Sequence, residues 1–336
     1  MEHTIQPPTF PNTNNNNNST QEEEIIIIKS LEGTDPKDIV QCSRLAFSDY
    51  FVNFSQVADD YFISRWRMGM VDYKYSFAAY TKRDGVMVGF VVLGIDGVNA
   101  YNCITGVVPE YRGKRLVQCI YQHAIPILAK EKSIEQIQLE VISINEKAVK
   151  AYTSVGFHIH RHLQTVKGDI KPIVLEQLQQ LQQQLTLDDG ATQVIIDNEQ
   201  IKRLVQVKYG ADIDYSVVPD MLYAPQWEGK VGCLKTDSDQ VEYRYLQDSK
   251  SFLLVKKQLG LISQYRFDSS SDAKILLQSL CIDYCNETNP TPFKCITIDS
   301  RDSSSTPTTN ELFGLFNLQP SFTQFEMIIN LKSYNQ

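Results

Sequence analysis

The chain has 336 residues, 42% of them apolar, and its 40 acidic and 32 basic side chains give a formal charge of −8. That length exceeds one small core and fits about two domains. The acidic balance argues against a nucleic-acid binder, which shows a broad basic excess, so any bound phosphate is held by a local basic site.

Residues 1–23 are polar, with an asparagine run from Asn14 to Asn18, and such a tail cannot bury enough surface to order itself. A buried strand is expected over Glu24–Lys29. Asp35 and Pro36 then open a helix through Ile39, Cys42, Leu45 and Ala46. Phe77–Tyr80 and Met87–Gly94 read as strands around the turn Lys82–Gly85. Cys103–Val108 is a further strand, and a helix follows to about Lys130 that Pro126 should kink or interrupt. Ile137–Ile142 is a strand, Asn145 caps a short helix that stops at Gly156, and Phe157 starts the next strand. Leu178, Leu181 and Leu185 mark a solvated linker helix, and residues 188–228 read as irregular. The seven cysteines form no CxxC pair, there is no cationic and apolar leader, and no window reaches about 18 apolar residues. A soluble protein of the cytoplasm or nucleus, with free thiols and no membrane partner, is expected.

Between the Cys103–Val108 strand and its helix lies Pro109-Glu-Tyr-Arg112-Gly113-Lys114-Arg115. A strand, a tight loop and a helix N-terminus point backbone N–H groups at one spot, which suits a phosphate. Arg112, Lys114 and Arg115 add charge, and Gly113 permits close approach or positive φ. An ordinary exposed basic turn has the same local pattern.

That loop, in register with Asn145, Ala148, Tyr152, Gly156 and Phe157, resembles motifs A and B of the GNAT superfamily of N-acetyltransferases. The resemblance runs from about Ile25 to Gly168. It implies the mixed α/β GNAT acyl-coenzyme A N-acyltransferase fold, with acetyl-coenzyme A as cosubstrate, an amine as acceptor and no metal. The family's loop has small residues where this chain has Arg115 and Val117, so room for the pyrophosphate is reduced. By position, the resemblance implies cofactor contacts at Val107, Val108, Arg112, Gly113, Lys114, Arg115, Leu116, Val117 and Asn145, the valines through main-chain N–H groups. Tyr152 stands where the family places the general acid for the leaving thiolate, and Glu140 is a candidate general base. If strand alternation turns Glu140 outward, it is only a solvated carboxylate. His158, His160 and His162 share a strand face and read as a polar wall rather than a metal site. Tyr50, Phe51 and Phe54 fall where the resembled family forms its acceptor loop, and they either line a substrate pocket or pack the first helix.

Residues 229–336 echo the same pattern as a degenerate second copy. Phe313 falls under Tyr152, Asn317 under Gly156 and Leu318 under Phe157, while the loop Asp268–Asp272 has no base. The expected organisation is a tail (1–23), a GNAT domain (24–168), a linker (169–228) and a second domain (229–336) able to fold alone. Two functions follow: an acetyl-coenzyme A dependent N-acyltransferase, or a catalytically silent acyl-coenzyme A sensor or scaffold. Arg115 and Val117 favour the second, and Tyr152 and Asn145 the first.

Overall fold

The computed structural model describes residues 25–49, 54–172, 198–215, 231–236, 238–285, 292–298 and 307–332. The expected tail, the Leu178–Leu185 helix, Tyr50 and Phe51 lie outside the described residues. The chain divides into two compact units, and they are not contiguous stretches. The first comprises Met1–Val141, Asn145–His160 and Met327–Gln336; the second comprises Ile142–Ile144 and Arg161–Glu326.

In the first unit β1 (Ile26–Ser30) is followed by α1 (Pro36–Ala46) and α2 (Asp59–Met68). Asp35 caps α1 by accepting the Lys37 amide at 2.9 Å, with Pro36 in the first turn as expected. Strands β2 (Phe77–Thr81), β3 (Met87–Asp96) and β4 (Asn99–Val107) extend β1 as an antiparallel meander. Helix α3 (Leu116–Lys132) leads to β5 (Gln136–Ile142), which pairs parallel to β4. Pro126 does not interrupt α3. Ile120, Tyr121, Ala124, Ile125, Leu128 and Ala129 are all buried around it, and that packing offsets the roughly 3 kcal/mol cost of an internal proline. Helix α4 (Glu146–Val155) begins at Asn145, whose side chain accepts the Ala148 amide at 3.2 Å, and stops at Gly156 with φ +116°. Strand β6 (His158–Asp169) leaves the unit at His160.

The second unit begins its sheet inside the stretch read as irregular. Helix α5 (Asn198–Leu204) runs into β7 (Val205–Tyr209). Their polar surfaces hide the periodicity, since only Ile201 and Val205 are buried there. After the short α6 (Val231–Thr236), β8 (Val241–Leu246), β9 (Phe252–Lys256) and β10 (Leu261–Arg266) continue the antiparallel ladder. Helix α7 (Ser270–Tyr284) leads to β11 (Pro292–Ile298), parallel to β10 and antiparallel to β6 over seven residue pairs. Helix α8 (Pro307–Leu315) and β12 (Gln319–Asn330) close the chain. Leu276, Leu277 and Leu280 of α7 form the core with Leu253, Val255, Ile262, Phe293 and Phe313.

The two units repeat one pattern: four antiparallel strands, then a helix, then a parallel fifth strand. In each, the fourth strand carries one extra residue against the third. The β3–β4 register passes from Leu93↔Asn102 to Val92↔Ile104, which makes Cys103 the extra residue of a bulge. The β9–β10 register passes from Val255↔Ile262 to Leu254↔Gln264, leaving Ser263 unpaired. A bulge at the same place in both ladders aligns the copies residue by residue. The last residues of β12 belong to the first unit, where Leu331 donates to the Glu135 carbonyl at 2.7 Å. Residues 229–336 therefore lack β6 and β7, which their own unit needs, and carry a strand end that serves the other.

Candidate active site

The site is built where β4 parts from β5. Their ladder holds only from Asn99↔Gln136 to Tyr101↔Gln138, and beyond the Cys103 bulge no further pair forms between them among the described residues. Val108 donates its amide to the Val88 carbonyl at 3.0 Å, so it belongs to the ladder with β3. Antiparallel alternation then turns the amides of Val107 and Thr105 toward the β5 side. The Val108 N–H, expected to face the cofactor, is used within the ladder, and the amides left facing the β5 side are those of Thr105 and Val107. Stepping back two residues from Val107 along the strand was the signal available in the sequence. Gly106 lies between them because a Cβ there would meet the Phe90 ring at 2.6 Å and Ala46 Cβ at 2.9 Å.

At the head of α3, Gly113 has φ +75° and Arg115, the N-cap, has φ +53°. Arg115 thus holds a left-handed conformation that favours glycine. Cys119 is the first α3 residue whose amide reaches a carbonyl one helical turn back, that of Arg115 at 3.0 Å, as a helix start requires. Leu116 is buried and Val117 half-buried, so their side chains anchor the turn while their amides face its N-terminal end. The Lys114 ammonium lies 4.6 Å from the centre of the Tyr111 ring.

Arg112 is held within the protein. Its guanidinium holds both carboxylate oxygens of Asp49 at 2.6 and 2.7 Å, the Ala46 carbonyl at 2.7 Å and the Val107 carbonyl at 3.2 Å. It ties the loop to the end of α1 and to the tip of β4. The hydrogen bond from Arg112 holds the Asp49 carboxyl below its usual range.

Tyr152, on α4, reaches back to the bulge. Its hydroxyl accepts from Asn102 Nδ2 at 3.3 Å. Asn102 is buried, and the Thr105 hydroxyl lies 2.7 Å from its Nδ2 and 3.0 Å from its Oδ1. Tyr121, fully buried on α3, turns its hydroxyl toward Asn102 and Thr105 without meeting a partner at hydrogen-bond geometry. Burial, and next the Tyr152 hydroxyl, push the Tyr121 phenol well above its ordinary range. Phe157 packs edge-on against both tyrosine rings, at 5.3 and 5.8 Å. Asn102, Thr105 and Tyr121 carry no sequence motif, and only the bulge and the α3 packing bring them to Tyr152. Asn145 uses its side-chain oxygen as the α4 cap, which leaves its amide as the donor for a ligand. Glu140 is half-buried with one carboxylate oxygen shielded from solvent, so it is not a fully solvated side chain. Phe54 packs on Phe47 and Phe62, at 5.2 and 5.7 Å. His158 and His160 are exposed, and no cluster of three metal-ligating side chains occurs among the described residues. No helix of the described residues is long and apolar enough to cross a membrane.

The second unit shows the same frame filled. By the bulge alignment, Ile262 stands at Asn102, Tyr265 at Thr105 and Phe267 at Val107. Phe313 is fully buried, with the rings of Tyr265 and Phe267 at 5.4 and 6.2 Å. Asn317 takes the helix-stop position with φ +64°. Only Phe267, Asp268 and Ser269 separate β10 from α7, against eight residues between β4 and α3. Asp268 accepts from Arg266 Nε and from the Lys250 amide, both at 2.9 Å, and Asp272 accepts from the Ser251 hydroxyl at 2.6 Å. Two acids therefore stand at the helix start that a phosphate would need.

A bulged fourth strand that parts from a parallel fifth, with a loop and helix start at its tip, defines a GNAT fold, here present twice. A profile of the Acetyltransferase (GNAT) family matches residues 39–157, so the chain carries a domain of that family. The chain is similar in fold to a GCN5-related N-acetyltransferase from Sphaerobacter thermophilus, with TM-score 0.60, 10% identity, and coverage of 91% of this chain and 96% of that one. It is likewise similar to a tandem GNAT protein from the clavulanic acid biosynthesis pathway, with TM-score 0.54, 10% identity, and coverage of 91% and 98%. Comparison with curated protein sequences finds no match.

Proposed function

We propose that the first unit is an N-acetyltransferase that moves an acetyl group from acetyl-coenzyme A to an amine. The observation that carries this reading is the Tyr152 hydroxyl standing on β4 just past the point where the β4–β5 ladder ends. The residues suit the cosubstrate. The amides of Thr105 and Val107 offer donors along an extended arm, and the head of α3 offers amides and a helix dipole to a pyrophosphate. In the second unit the same places hold aromatic rings and acids, which fit neither.

Acetyl-coenzyme A supplies an activated thioester. The Thr105 amide is the candidate donor to the carbonyl oxygen as it gains charge, and Tyr152 the candidate donor of a proton to the departing sulfur. Glu140 is the candidate acceptor of the proton that the amine loses. The N–C bond forms, the C–S bond breaks, and Tyr152 recovers its proton from solvent. Arg115 and Val117, in place of small residues, favour a second reading in which the unit binds an acyl-coenzyme A without turnover.

Thermal-shift titration with acetyl-coenzyme A and coenzyme A, followed by thiol release over a panel of amines, tests both. A rise in Tm with ligand and amine-dependent thiol release is expected. A rise without release supports the sensor reading. No rise with either ligand overturns both.

A further inference from the structure

We propose that Asn102 is a positioning residue for Tyr152, an inference that rests on the acetyl-transfer reading above. The geometry restricts what each group can do. A side-chain amide nitrogen only donates, so the 3.3 Å contact from Asn102 Nδ2 must use a lone pair of the Tyr152 oxygen. The Tyr152 O–H hydrogen is thereby turned away from Asn102. That is the orientation a proton donor to sulfur needs. Once the proton has gone, the same Asn102 N–H meets a phenolate, and a hydrogen bond to a charged oxygen is about twice as strong as a neutral one.

Asn102 is itself held. The Thr105 hydroxyl lies within hydrogen-bond distance of both ends of its amide, and Tyr121 closes the α3 side. Its position depends on the bulge, since Cys103 is the residue left over beside it. The second unit is an internal control. At the aligned places the polar pair Asn102 and Tyr152 has become the apolar pair Ile262 and Phe313, both fully buried. If Asn102 were present only to hold the bulge, the same bulge at Ser263 would call for an asparagine beside it, and it has isoleucine. The amide accompanies the hydroxyl, not the bulge.

The test uses the full chain and two readouts. The first is a kinetic cycle of Asn102→Ile, Asn102→Asp, Tyr152→Phe and the double variants, followed by thiol release. Asn102→Ile repeats the residue that the second unit carries at this place, so the bulge tolerates it. Asn102→Asp replaces the donor by an acceptor that draws the Tyr152 hydrogen toward itself. Each is expected to lower kcat by about 10- to 100-fold with KM for acetyl-coenzyme A unchanged. Neither is expected to cost anything further in the Tyr152→Phe background. Losses that multiply in that background overturn the proposal, because a merely structural residue acts whether or not the hydroxyl is there.

The second readout needs no coenzyme. In protein labelled with ¹³Cζ-tyrosine, the Tyr152 resonance is assigned by its loss in Tyr152→Phe and its ionisation is followed by pH. Tyr121 and Cys103 also titrate beside this cluster and are kept in every variant. Loss of the donor in Asn102→Ile is expected to move the Tyr152 midpoint upward, and Asn102→Asp to move it further. An unmoved midpoint overturns the proposal. If the midpoint moves while no amine is ever acetylated, the acetyl-transfer reading fails and the positioning of Tyr152 stands. If acetylation is measured and Asn102 variants match wild type, the reading stands and the positioning fails.

Discussion

Arg112 and Asp49 hold each other through two parallel hydrogen bonds of 2.6 and 2.7 Å, which fasten the loop before α3 to the segment after α1. Both side chains are substantially exposed, so the pair contributes little to global stability and acts on the loop's position. Asp49→Asn and Arg112→Gln are therefore expected to weaken coenzyme A binding by a similar few-fold, with no greater loss in the double variant. Calorimetry decides. A tenfold loss from Arg112→Gln alone, with Asp49→Asn unchanged, would assign Arg112 to the phosphate instead. The Asp49 carboxyl is held below its ordinary 3.8, so the contribution of the pair is fully present above that value and fades as pH falls below it. Binding between pH 5 and 8 should show no dependence from this source.

Tyr152→Phe keeps the ring that packs on Phe157 and removes only the hydroxyl. Folding and coenzyme binding are expected to survive while turnover falls by about 10² to 10⁴. Equal rates for variant and wild type would reduce Tyr152 to a packing residue.

Arg115→Gly removes a side chain from a left-handed N-cap at φ +53°. The relief of about 1–2 kcal/mol exceeds the entropic cost of a glycine, so stability should rise by up to about 1 kcal/mol. Chemical denaturation measures it. A clear fall would show that the Arg115 side chain, rather than its backbone, holds the turn.

Phe313→Tyr is expected to create no second activity. The new hydroxyl enters a space walled by Tyr265 and Phe267, and leaving it unpaired costs about 1–3 kcal/mol. Titration should give one coenzyme A per chain in wild type and variant alike. A stoichiometry of two contradicts the filled-site account.

Truncation after Glu326 leaves every candidate catalytic residue in place and yet should abolish coenzyme binding. It removes Met327, Ile329 and Leu331, all buried, and a Cβ placed on Gly156 would lie 3.2 Å from Ile329. The first unit then loses apolar burial worth about 1.5–3 kcal/mol for each large side chain, enough to unfold a marginal domain. Retained binding in the truncated chain would show that the unit is complete without these residues.

Signals that act within one turn or one strand were legible in the sequence. Asp35 and Asn145 cap their helices, Gly156 and Asn317 take positive φ, and the Phe77, Met87 and Ile137 runs form strands because short continuous apolar runs suit a sheet buried on both faces. The resemblance of the Asn145–Phe157 run pointed to Tyr152, and the structure sets its hydroxyl 3.3 Å from Asn102 Nδ2. What tertiary structure alone decided involves partners far apart in the chain. The bulge at Cys103 exists only against β3, and it brings Asn102 to a hydroxyl 50 residues later. The Val108 amide is engaged by Val88 and the Arg112 guanidinium by Asp49, and both partners are distant in the chain. Pro126 stayed in its helix because six buried neighbours outweigh a local penalty. The last strand is divided between the two units at Glu326 and Met327, and no residue of that strand marks the division. Local preference is written in each residue, whereas the choice among pairing partners is made by the whole chain at once.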